Sequence, residues 1–233
     1  MDNTKSLVVI AVLSTIAVSF SAQAETPKGA TPYIEGQIGY ANLDNVDTNT
    51  YSGTSGNVTG TNVRANLDYD ASATYGAEVG LKDVLIPNLR IGASYTTMKF
   101  DLKSAQINGV VTAGSSTYTG PATFSASDLA TGGLDFNSRV NLYMVNAYYD
   151  FKTFTDITPF IGAGIGLADI KHAKDLELAY DLNAGVKYNI NKNIYVGIKG
   201  AYTRINGPTD QTDIKFKDID VLSANVAVGF EFE

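Results

Sequence analysis

Apolar and polar residues alternate one by one along several stretches of the chain. In residues 175–190, every second residue from Leu176 to Ile190 is apolar or aromatic, and the residues between include Glu177, Asp181 and Lys187. A period of two places the two sets on opposite faces of a β-strand. The pattern therefore predicts a strand with one apolar and one polar face, but does not say which face meets water.

Eight such segments extend to the end of the chain. They cover residues 32–43, 71–82, 88–100, 141–151, 158–169, 175–190, 193–203 and 220–232. Each has about the 9–11 residues that a tilted strand needs to cross a bilayer. The connections are short at 83–87, 152–157 and 191–193, and longer at 44–70, 101–138, 170–175 and 204–219. Short turns at one rim and longer loops at the other are typical of membrane β-barrels, whose short turns face the periplasm.

Alternation alone fits two kinds of barrel. In a soluble barrel such as a lipocalin the apolar face points inward, whereas in a membrane barrel it faces lipid. The polar face here consists mostly of Gly, Ala, Ser, Thr and Asn, and in residues 158–169 it is formed by Gly162, Gly164 and Gly166. A soluble exterior would normally carry many Lys and Glu, while small residues suit the narrow interior of an eight-stranded barrel. The pattern therefore favours the membrane barrel.

The polar face also carries charges of both signs. They are Glu35, Glu78, Arg90, Asp150, Glu177, Asp181, Lys187, Lys199 and Glu231. Because buried charges have to be paired, we expect an ionic network inside the barrel. Tyrosines on the apolar face are expected at the two bilayer interfaces, which amphipathic rings prefer. The predicted fold of residues 25–233 is an all-β, eight-stranded antiparallel up-and-down transmembrane β-barrel.

Residues 1–24 have the features of a secretory signal peptide. Lys5 precedes an uncharged apolar run from Leu7 to Phe20, and the segment ends in Ala22-Gln23-Ala24, the small-x-small pattern of a cleavage site. The run is shorter than the roughly 20 residues that a membrane-spanning helix needs. The sequence therefore predicts export, with cleavage after Ala24.

Composition argues against several functional classes. The net charge is −7 and stays −7 after removal of residues 1–24, which hold one acid and one base. Nucleic acid is therefore not an expected partner, since binding it requires a basic patch. The chain has no cysteine, which excludes disulfides and thiol chemistry. Charged residues make up 18% of the chain, below the roughly 25% of ordinary soluble domains.

Several stretches resemble the opacity-type outer-membrane β-barrel family, the OmpA/OmpX-like eight-stranded barrels of Gram-negative bacteria. They are YIEGQIGYA, VNAYYDF followed by ITPFIGAGIG, AYDLNAGVKYNINKNIYVGIKGAYTRI, and the closing NVAVGFEF. The resemblance covers about residues 33–232. It implies a Gram-negative outer-membrane location, with outer-membrane lipid, lipopolysaccharide and the barrel assembly machinery as partners. One departure is that Glu233 follows Phe232, whereas such barrels usually end on the aromatic residue that the assembly machinery reads.

The sequence predicts no catalytic, cofactor-binding or metal-binding residues. His172, the only histidine, falls in the third outer loop, and no serine lies within a few positions to act as a nucleophile. The glycines of residues 162–166 recur with period two inside a strand, whereas a dinucleotide-binding fingerprint opens a helix. The scattered acidic residues of the outer loops fit no calcium-loop spacing.

The chain is therefore predicted to be a non-enzymatic, structural and surface-exposed protein that presents four extracellular loops for adhesion or for host or surface interaction. Its second outer loop, residues 101–138, is rich in Ser, Thr, Gly and Ala, with enough Val, Tyr and Phe to extend strands above the membrane or to pack locally. A variable surface loop and a contact surface for a host molecule both fit this composition. The alternative function is a small porin or passive diffusion channel, ranked second because side chains usually fill an eight-stranded lumen.

Overall fold

The computed structural model describes residues 29–44, 46–131, 137–211 and 213–232, so the predicted signal peptide and Glu233 lie outside the described residues. Among the described residues, no helix has the length and apolar character needed to span a membrane. The same ranges contain fourteen strands and one short helix. These elements are β1 (Thr31–Leu43), β2 (Val46–Asp47), β3 (Tyr51–Ser55), β4 (Val58–Tyr69), β5 (Ser72–Lys82), β6 (Leu89–Phe100), β7 (Leu102–Ala113), β8 (Ser116–Thr119), β9 (Ala122–Ser125), α1 (Ala126–Thr131), β10 (Ser138–Asp150), β11 (Ile157–Ile170), β12 (Glu177–Asn189), β13 (Ile194–Ile205) and β14 (Ile219–Glu231).

Eight of these strands form a closed antiparallel barrel in the order β1-β14-β13-β12-β11-β10-β6-β5. They correspond to the eight segments with alternating residues, so the predicted fold is confirmed. The barrel closes between β1 and β14, where Tyr33 is in register with Glu231 and Leu43 with Val221. Closure leaves the wall without a free strand edge, which is the condition for a β-structure to span lipid.

Local hydrogen bonds shape the short turns at one rim. Between β12 and β13, the Asn191 side chain accepts hydrogen bonds from the amides of Asn193 and Ile194, each at 2.8 Å. Between β5 and β6, the Asp83 carboxylate accepts a hydrogen bond from the Asn88 amide at 2.6 Å. Asp83 and Asn88 both have a positive φ, a conformation that Asp and Asn adopt more readily than most residues.

The outward face of the barrel is apolar between two groups of aromatic residues. Exposed aliphatic side chains cover the middle of the strands: Ile38, Val79, Val145, Ile161, Ile165, Leu182, Val186, Ile198, Val226 and Val228. Exposed tyrosines lie toward the long-loop ends: Tyr40, Tyr75, Tyr95, Tyr180 and Tyr202. Exposed aromatic residues near the short turns are Tyr149, Phe151, Tyr188, Phe230 and Phe232. This is the arrangement of a lipid-facing belt with an aromatic girdle at each interface.

Strands β4 and β7 continue β5 and β6 beyond the barrel. Tyr69 at the end of β4 is in register with Leu102 at the start of β7, and the Asp70 amide donates to the Asp101 carbonyl at 3.0 Å. The hydrogen-bonded ladder therefore runs from the barrel into a ribbon about 40 Å long, given a rise of about 3.4 Å per residue. β2 and β3 pair with β4, and β8 and β9 with β7, which gives a six-stranded sheet at the long-loop end of the barrel. We call this sheet the ribbon.

The strands of the ribbon lie in segments 44–70 and 101–138, which the sequence predicted only as connections between barrel strands. Both contain regular strands, which the composition of residues 101–138 had allowed but which were not predicted for residues 44–70. Their Val and Thr content favours β-structure. Their alternation is weak, however, because much of the ribbon is exposed on both faces.

The apolar core lies at the long-loop end of the barrel and continues into the base of the ribbon. Its members are Ala41, Leu43, Val46, Leu67, Met98, Phe100, Leu102, Ala105, Val140, Leu142, Met144, Ala168, Ile170, Ala173, Ala179, Ile205, Ile219 and Val221. Most buried charged side chains lie in the half of the interior near the short turns. The inward side chains of the other half are mainly apolar and pack against loop residues such as Val46 and Leu67, and Ser72, Thr74 and Thr203 are buried there as well.

Candidate surface-interaction site and the closed lumen

Ion pairs fill the half of the lumen near the short turns. The Arg90 Nε donates to both oxygens of Asp150, at 3.0 and 2.9 Å. The Lys187 ammonium donates to Asp150 Oδ2 at 2.6 Å and lies 3.8 Å from Glu231 Oε1. Lys82 in turn donates to Glu231 Oε2 at 2.5 Å. A continuous chain of alternating charges therefore crosses this part of the lumen.

A second group of buried polar side chains surrounds Glu78. Its Oε1 accepts a hydrogen bond from the Tyr33 hydroxyl at 2.6 Å, and its Oε2 accepts one from the Tyr148 hydroxyl at 2.7 Å. The Asn146 amide donates to the same Oε2 at 3.3 Å, and the Lys199 ammonium lies 4.0 Å from it. Both carboxylate oxygens of Glu78 are thus satisfied inside the barrel.

Glu35 links the two groups. It accepts hydrogen bonds from the Tyr195 hydroxyl at 2.8 Å and from Lys199 at 3.3 Å. The Lys187 ammonium lies 4.9 Å from the centroid of the Tyr195 ring, a cation–π distance. Of the charges assigned to the lumen from the sequence, those fully buried are Glu35, Glu78, Arg90, Asp150, Lys187, Lys199 and Glu231, whereas Glu177 and Asp181 are partly buried. The predicted interior network is therefore confirmed.

Glycines on the lumen face make room for the neighbouring side chains. The register places the three lumen glycines of β11 beside three inward side chains of β10: Gly162 with Tyr148, Gly164 with Asn146, and Gly166 with Met144. A Cβ atom at any of these glycines would lie less than 3.0 Å from the side chain beside it. The small residues of 158–169 therefore reflect close packing rather than an open channel.

Little of the lumen is left unfilled. A cavity of about 30 Å³ lies among polar side chains that include Gln37, Ser94, Asn146 and Asn225. That volume holds one or two water molecules. The ion pairs lie on one side of this cavity and the apolar core on the other.

Backbone and side-chain hydrogen bonds join the first long loop to the fourth. The Asn49 amide donates to the Lys215 carbonyl, and the Lys217 amide to the Asp47 carbonyl, both at 2.9 Å. The Asp47 carboxylate also accepts a hydrogen bond from the Asn66 amide group at 2.8 Å and one from the Lys217 ammonium at 2.9 Å. These two donors, Asn66 first and then Lys217, lower the pKa of Asp47 below its ordinary value.

The third loop is joined to the fourth in the same way. The Lys174 amide donates to the Thr209 carbonyl at 2.9 Å, the Gln211 amide donates to the His172 carbonyl at 3.2 Å, and Lys174 forms an ion pair with Asp213. The first, third and fourth loops therefore form one assembly beside the ribbon. We call it the loop platform, residues 46–49, 171–176, 206–211 and 213–218.

An apolar pocket of about 280 Å³ opens between the loop platform and the base of the ribbon. Its walls include Leu43, Val46, Leu67, Val140, Phe216 and Ile219. Burial raises the pKa of Tyr69, which also lines the pocket, to about 12. Sequence reasoning missed this pocket because its walls come from separate loops and strand ends that only the fold brings together.

His172 lies at the rim of the pocket with an exposed side chain and a positive φ of 73°. Ser138 and Asp210, which are distant from it in sequence, line the same pocket. Within the part of the chain that the structure describes, no hydrogen bond joins the His172 side chain to Ser138. The same residues contain no group of three His, Asp or Glu side chains able to hold a metal ion.

Comparison with known proteins agrees with this architecture. The profile of the family described as outer membrane protein beta-barrel domain matches residues 10–232. Outer membrane protein PagN of Salmonella typhimurium is 36% identical over an alignment of 84 residues that covers 29% of this chain and 34% of PagN. The match thus spans about a third of PagN. Protein opa of Haemophilus influenzae is 26% identical over 117 residues, which are 46% of this chain and 92% of that protein.

Among solved structures, the crystal structure of Neisserial surface protein A (NspA) has the same fold. It matches with a TM-score of 0.53 and 16% sequence identity, covering 88% of this chain and 99% of NspA. At this identity the likeness concerns the fold alone.

Proposed function

The chain belongs to the outer membrane protein β-barrel domain family, and we propose that it is a non-enzymatic surface protein that presents its extracellular loops for adhesion to a host or another surface. It is a protein of the Gram-negative outer membrane. The observation that carries the proposal is the ribbon, whose strands β4 and β7 continue the barrel wall well beyond its rim. A binding surface built on such a scaffold loses little conformational freedom when it meets a partner.

Exposed aromatic side chains on the ribbon support a contact role. Tyr118 is 51% exposed on β8, and Phe124 is 37% exposed on β9. Their neighbours in β8 and β9 are mostly Ser and Thr. Aromatic residues carry a large share of the binding energy in protein interfaces. We therefore place the main contact surface on the edge strands β8 and β9.

The test is an adhesion assay with the full chain displayed on a non-adherent Gram-negative host strain. We expect the double variant Tyr118→Ser/Phe124→Ser to reduce binding to epithelial cells or to extracellular matrix by about tenfold, since one good aromatic contact is worth about 1–2 kcal/mol. The matched control is Tyr118→Phe/Phe124→Tyr, which keeps both rings and should keep binding. Surface amounts are equalised by antibody labelling. Equal adhesion of all strains, including one that lacks the protein, would refute the proposal.

The alternative function, a small porin, has less support. The ion pairs around Asp150 and the apolar core occupy the two halves of the lumen, and only about 30 Å³ lies between them. We expect no stepwise conductance when the purified chain is inserted into planar bilayers. Reproducible single-channel steps would restore the porin function.

The non-enzymatic part of the proposal has its own test at His172. A hydrolase of membrane lipid would need this histidine to activate a nucleophile such as Ser138 at the same pocket. We expect mass spectra of lipid A from cells expressing His172→Ala to match those from cells expressing the wild-type chain and those from cells without it. A change in acyl chains that appears only with the wild-type chain would point to an enzyme.

A further inference from the structure

Asn146, Gly164 and Asp181 form a row across three neighbouring strands inside the barrel. Asn146 on β10 is in register with Gly164 on β11, and Gly164 is in register with Asp181 on β12. A Cβ atom at Gly164 would lie 2.0 Å from Asn146 Oδ1 and 2.5 Å from Asp181 Oδ1. The side-chain oxygens of the two neighbours therefore converge on the space that the glycine leaves open.

Both of these oxygens are hydrogen-bond acceptors. Asn146 is 2% exposed, and within the described residues its Oδ1 has no hydrogen-bond partner. Its amide nitrogen donates to Ser94 Oγ at 2.9 Å and to Glu78 Oε2 at 3.3 Å. These bonds fix the orientation of the amide, since the opposite orientation would place its oxygen against the Glu78 carboxylate. Two converging acceptors repel each other unless a proton donor or a cation lies between them.

The Asp181 carboxylate has no cationic partner. It accepts hydrogen bonds from the Asn183 side chain at 2.8 Å and from the Gly164 backbone, but it forms no ion pair with any described residue. The neighbouring network is neutral without it, because its ion pairs join four cations to four carboxylates: Lys82, Arg90, Lys187 and Lys199 with Glu35, Glu78, Asp150 and Glu231. Asp181 therefore adds one unbalanced negative charge to the interior, which is costly in a buried site.

Asn146 and Asp181 both border the cavity of about 30 Å³ in the lumen. Gln37 borders it as well, and its buried Oε1 is a second amide oxygen without a hydrogen-bond partner among the described residues. The hydroxyl groups of Ser94 and Thr96 add further oxygens to the wall. The cavity thus has the volume for one small ion, with or without a water molecule, and is lined by oxygens that lack donors.

One unpaired carboxylate requires a single positive charge. Lys199 borders the cavity, but its ammonium already lies 3.3 Å from Glu35 Oε1 and 4.0 Å from Glu78 Oε2. Protein sites for Ca²⁺ draw on several carboxylates, whereas Asp181 is the one acid that borders this cavity in the described part of the chain. Mg²⁺ usually keeps several water molecules, for which about 30 Å³ leaves no room. The charge and the volume therefore both favour a small monovalent cation.

We propose that this cavity binds one sodium ion, held by the Asp181 carboxylate and by the amide oxygens of Asn146 and Gln37. Carboxylate and carbonyl oxygens are the ligands that hard cations prefer. The ion neutralises Asp181 and separates its carboxylate from Asn146 Oδ1. It also joins β1, β10 and β12 across the lumen, because its three ligands come from these strands. The site goes beyond the proposed adhesive function, since it lies inside the barrel and not on the ribbon.

The experiment measures urea unfolding of the full chain in zwitterionic lipid vesicles. Sodium chloride and tetramethylammonium chloride are mixed at constant ionic strength, because the organic cation is too large for the cavity. The chain is unfolded and refolded in each mixture, so that the ion need not cross the folded barrel. Above the dissociation constant, we expect each tenfold increase in sodium to raise the unfolding midpoint by about 0.7 M urea, since a tenfold increase is worth about 1.4 kcal/mol and the slope is about 2 kcal/mol per molar urea.

Three variants make the test specific. Asp181→Asn keeps the volume of the side chain and should abolish the sodium dependence, while it leaves the chain at least as stable as the wild type in tetramethylammonium chloride. Gly164→Ala should also abolish the dependence, because its methyl group occupies the space between the two oxygens. Asp220→Asn is the matched control, since Asp220 is an acid of the barrel wall that already pairs with Arg204 at 2.8 and 3.0 Å, and it should keep the dependence.

Two results would overturn the proposal. One is an equal unfolding midpoint of the wild type in the two salts, and the other is a sodium dependence that persists in Asp181→Asn. If the wild type ignored sodium but gained stability at low pH, and Asp181→Asn did not, a proton rather than a cation would lie between the two oxygens. Folding of every variant is checked by heat-dependent gel mobility. Adhesion is measured separately, so failure of this site and failure of the adhesive function are distinguishable.

Discussion

Replacement of Asp150 by Asn tests whether the lumen is a dry, charge-paired plug. Asp150 is the shared partner of Arg90 and Lys187, and the side chains of all three residues are 5% exposed or less. Removing one member of a buried ionic group leaves uncompensated charge and costs about 3–5 kcal/mol. The Asn side chain keeps the volume and one acceptor oxygen, so the change reports mainly on charge.

The remaining contacts place the expected cost at the lower end of that range. Lys187 keeps Glu231 at 3.8 Å. The Arg90 guanidinium keeps the Tyr148 and Phe160 rings, whose centroids lie 4.7 and 5.2 Å away. We therefore expect Asp150→Asn to lower the free energy of unfolding by about 3 kcal/mol. With a slope of about 2 kcal/mol per molar urea, the unfolding midpoint would fall by about 1.5 M.

The assay is urea unfolding of the chain in lipid vesicles, followed by tyrosine fluorescence and by heat-dependent gel mobility. Asp156→Asn is the control, because Asp156 is exposed in a short turn and its change should stay within about 0.5 kcal/mol. Adding Lys187→Met to Asp150→Asn should recover part of the loss, since it removes one of the two cations that lose the Asp150 carboxylate. A loss below about 1 kcal/mol for Asp150→Asn would refute the reasoning and indicate a hydrated lumen.

Two further changes test other parts of the molecule. Gly162→Ala should lower the free energy of unfolding in the same urea assay by about 1–3 kcal/mol, because the new Cβ would overlap the ring of Tyr148. Gly36→Ala is the control and should lower it less, because a Cβ there meets open space. Equal losses for the two variants would contradict this packing. The hydrogen bond from Asn66, and then Lys217, lower the pKa of Asp47 in the folded protein. Ionised Asp47 therefore stabilises the loop platform fully above the pKa of about 3.9 that it has in the unfolded chain. This stabilisation is lost as the pH falls through the lower pKa of the folded state. Hydrogen exchange in the first loop should therefore accelerate only below about pH 4, and Asp47→Asn should abolish that pH dependence; the same acceleration in the variant would rule out Asp47 as the cause.

The barrel could be predicted from the sequence because each strand meets two different environments. Leu182 faces outward and Asn183 inward on β12, and the same contrast recurs on the other barrel strands. The register was not predictable, because neighbouring strands are joined by turns whose lengths allow several alignments. Only the register explains why Gly162 lies beside Tyr148, a contact that the glycine pattern alone did not reveal.

The apolar half of the lumen, at the long-loop end, could not be predicted because the two faces of its strands differ little in polarity. At the start of β10, the inward Val140 and Leu142 alternate with Asn141 and Tyr143, so neither face is clearly polar. The alternating pattern therefore predicts a strand from residue 141, whereas the strand begins at Ser138. Such inward apolar side chains conflict with the polar lumen that the other strand positions predict. They make sense once the ribbon covers them, and the ribbon is formed by sequence far from β10.

The apolar core joins barrel and loops into one folding unit. Val46 and Leu67 belong to the extracellular loops, yet they pack in the same cluster as Phe100 and Val140 from the barrel wall. A surface loop tethered only at its ends could vary without affecting the barrel, but a loop that covers apolar wall residues cannot, because its displacement would expose them to water. The fold should therefore tolerate sequence change at the far end of the ribbon, around exposed Tyr118, and be destabilised by change at the base of the ribbon. The same division separates a variable contact surface from the fixed scaffold that holds it above the membrane.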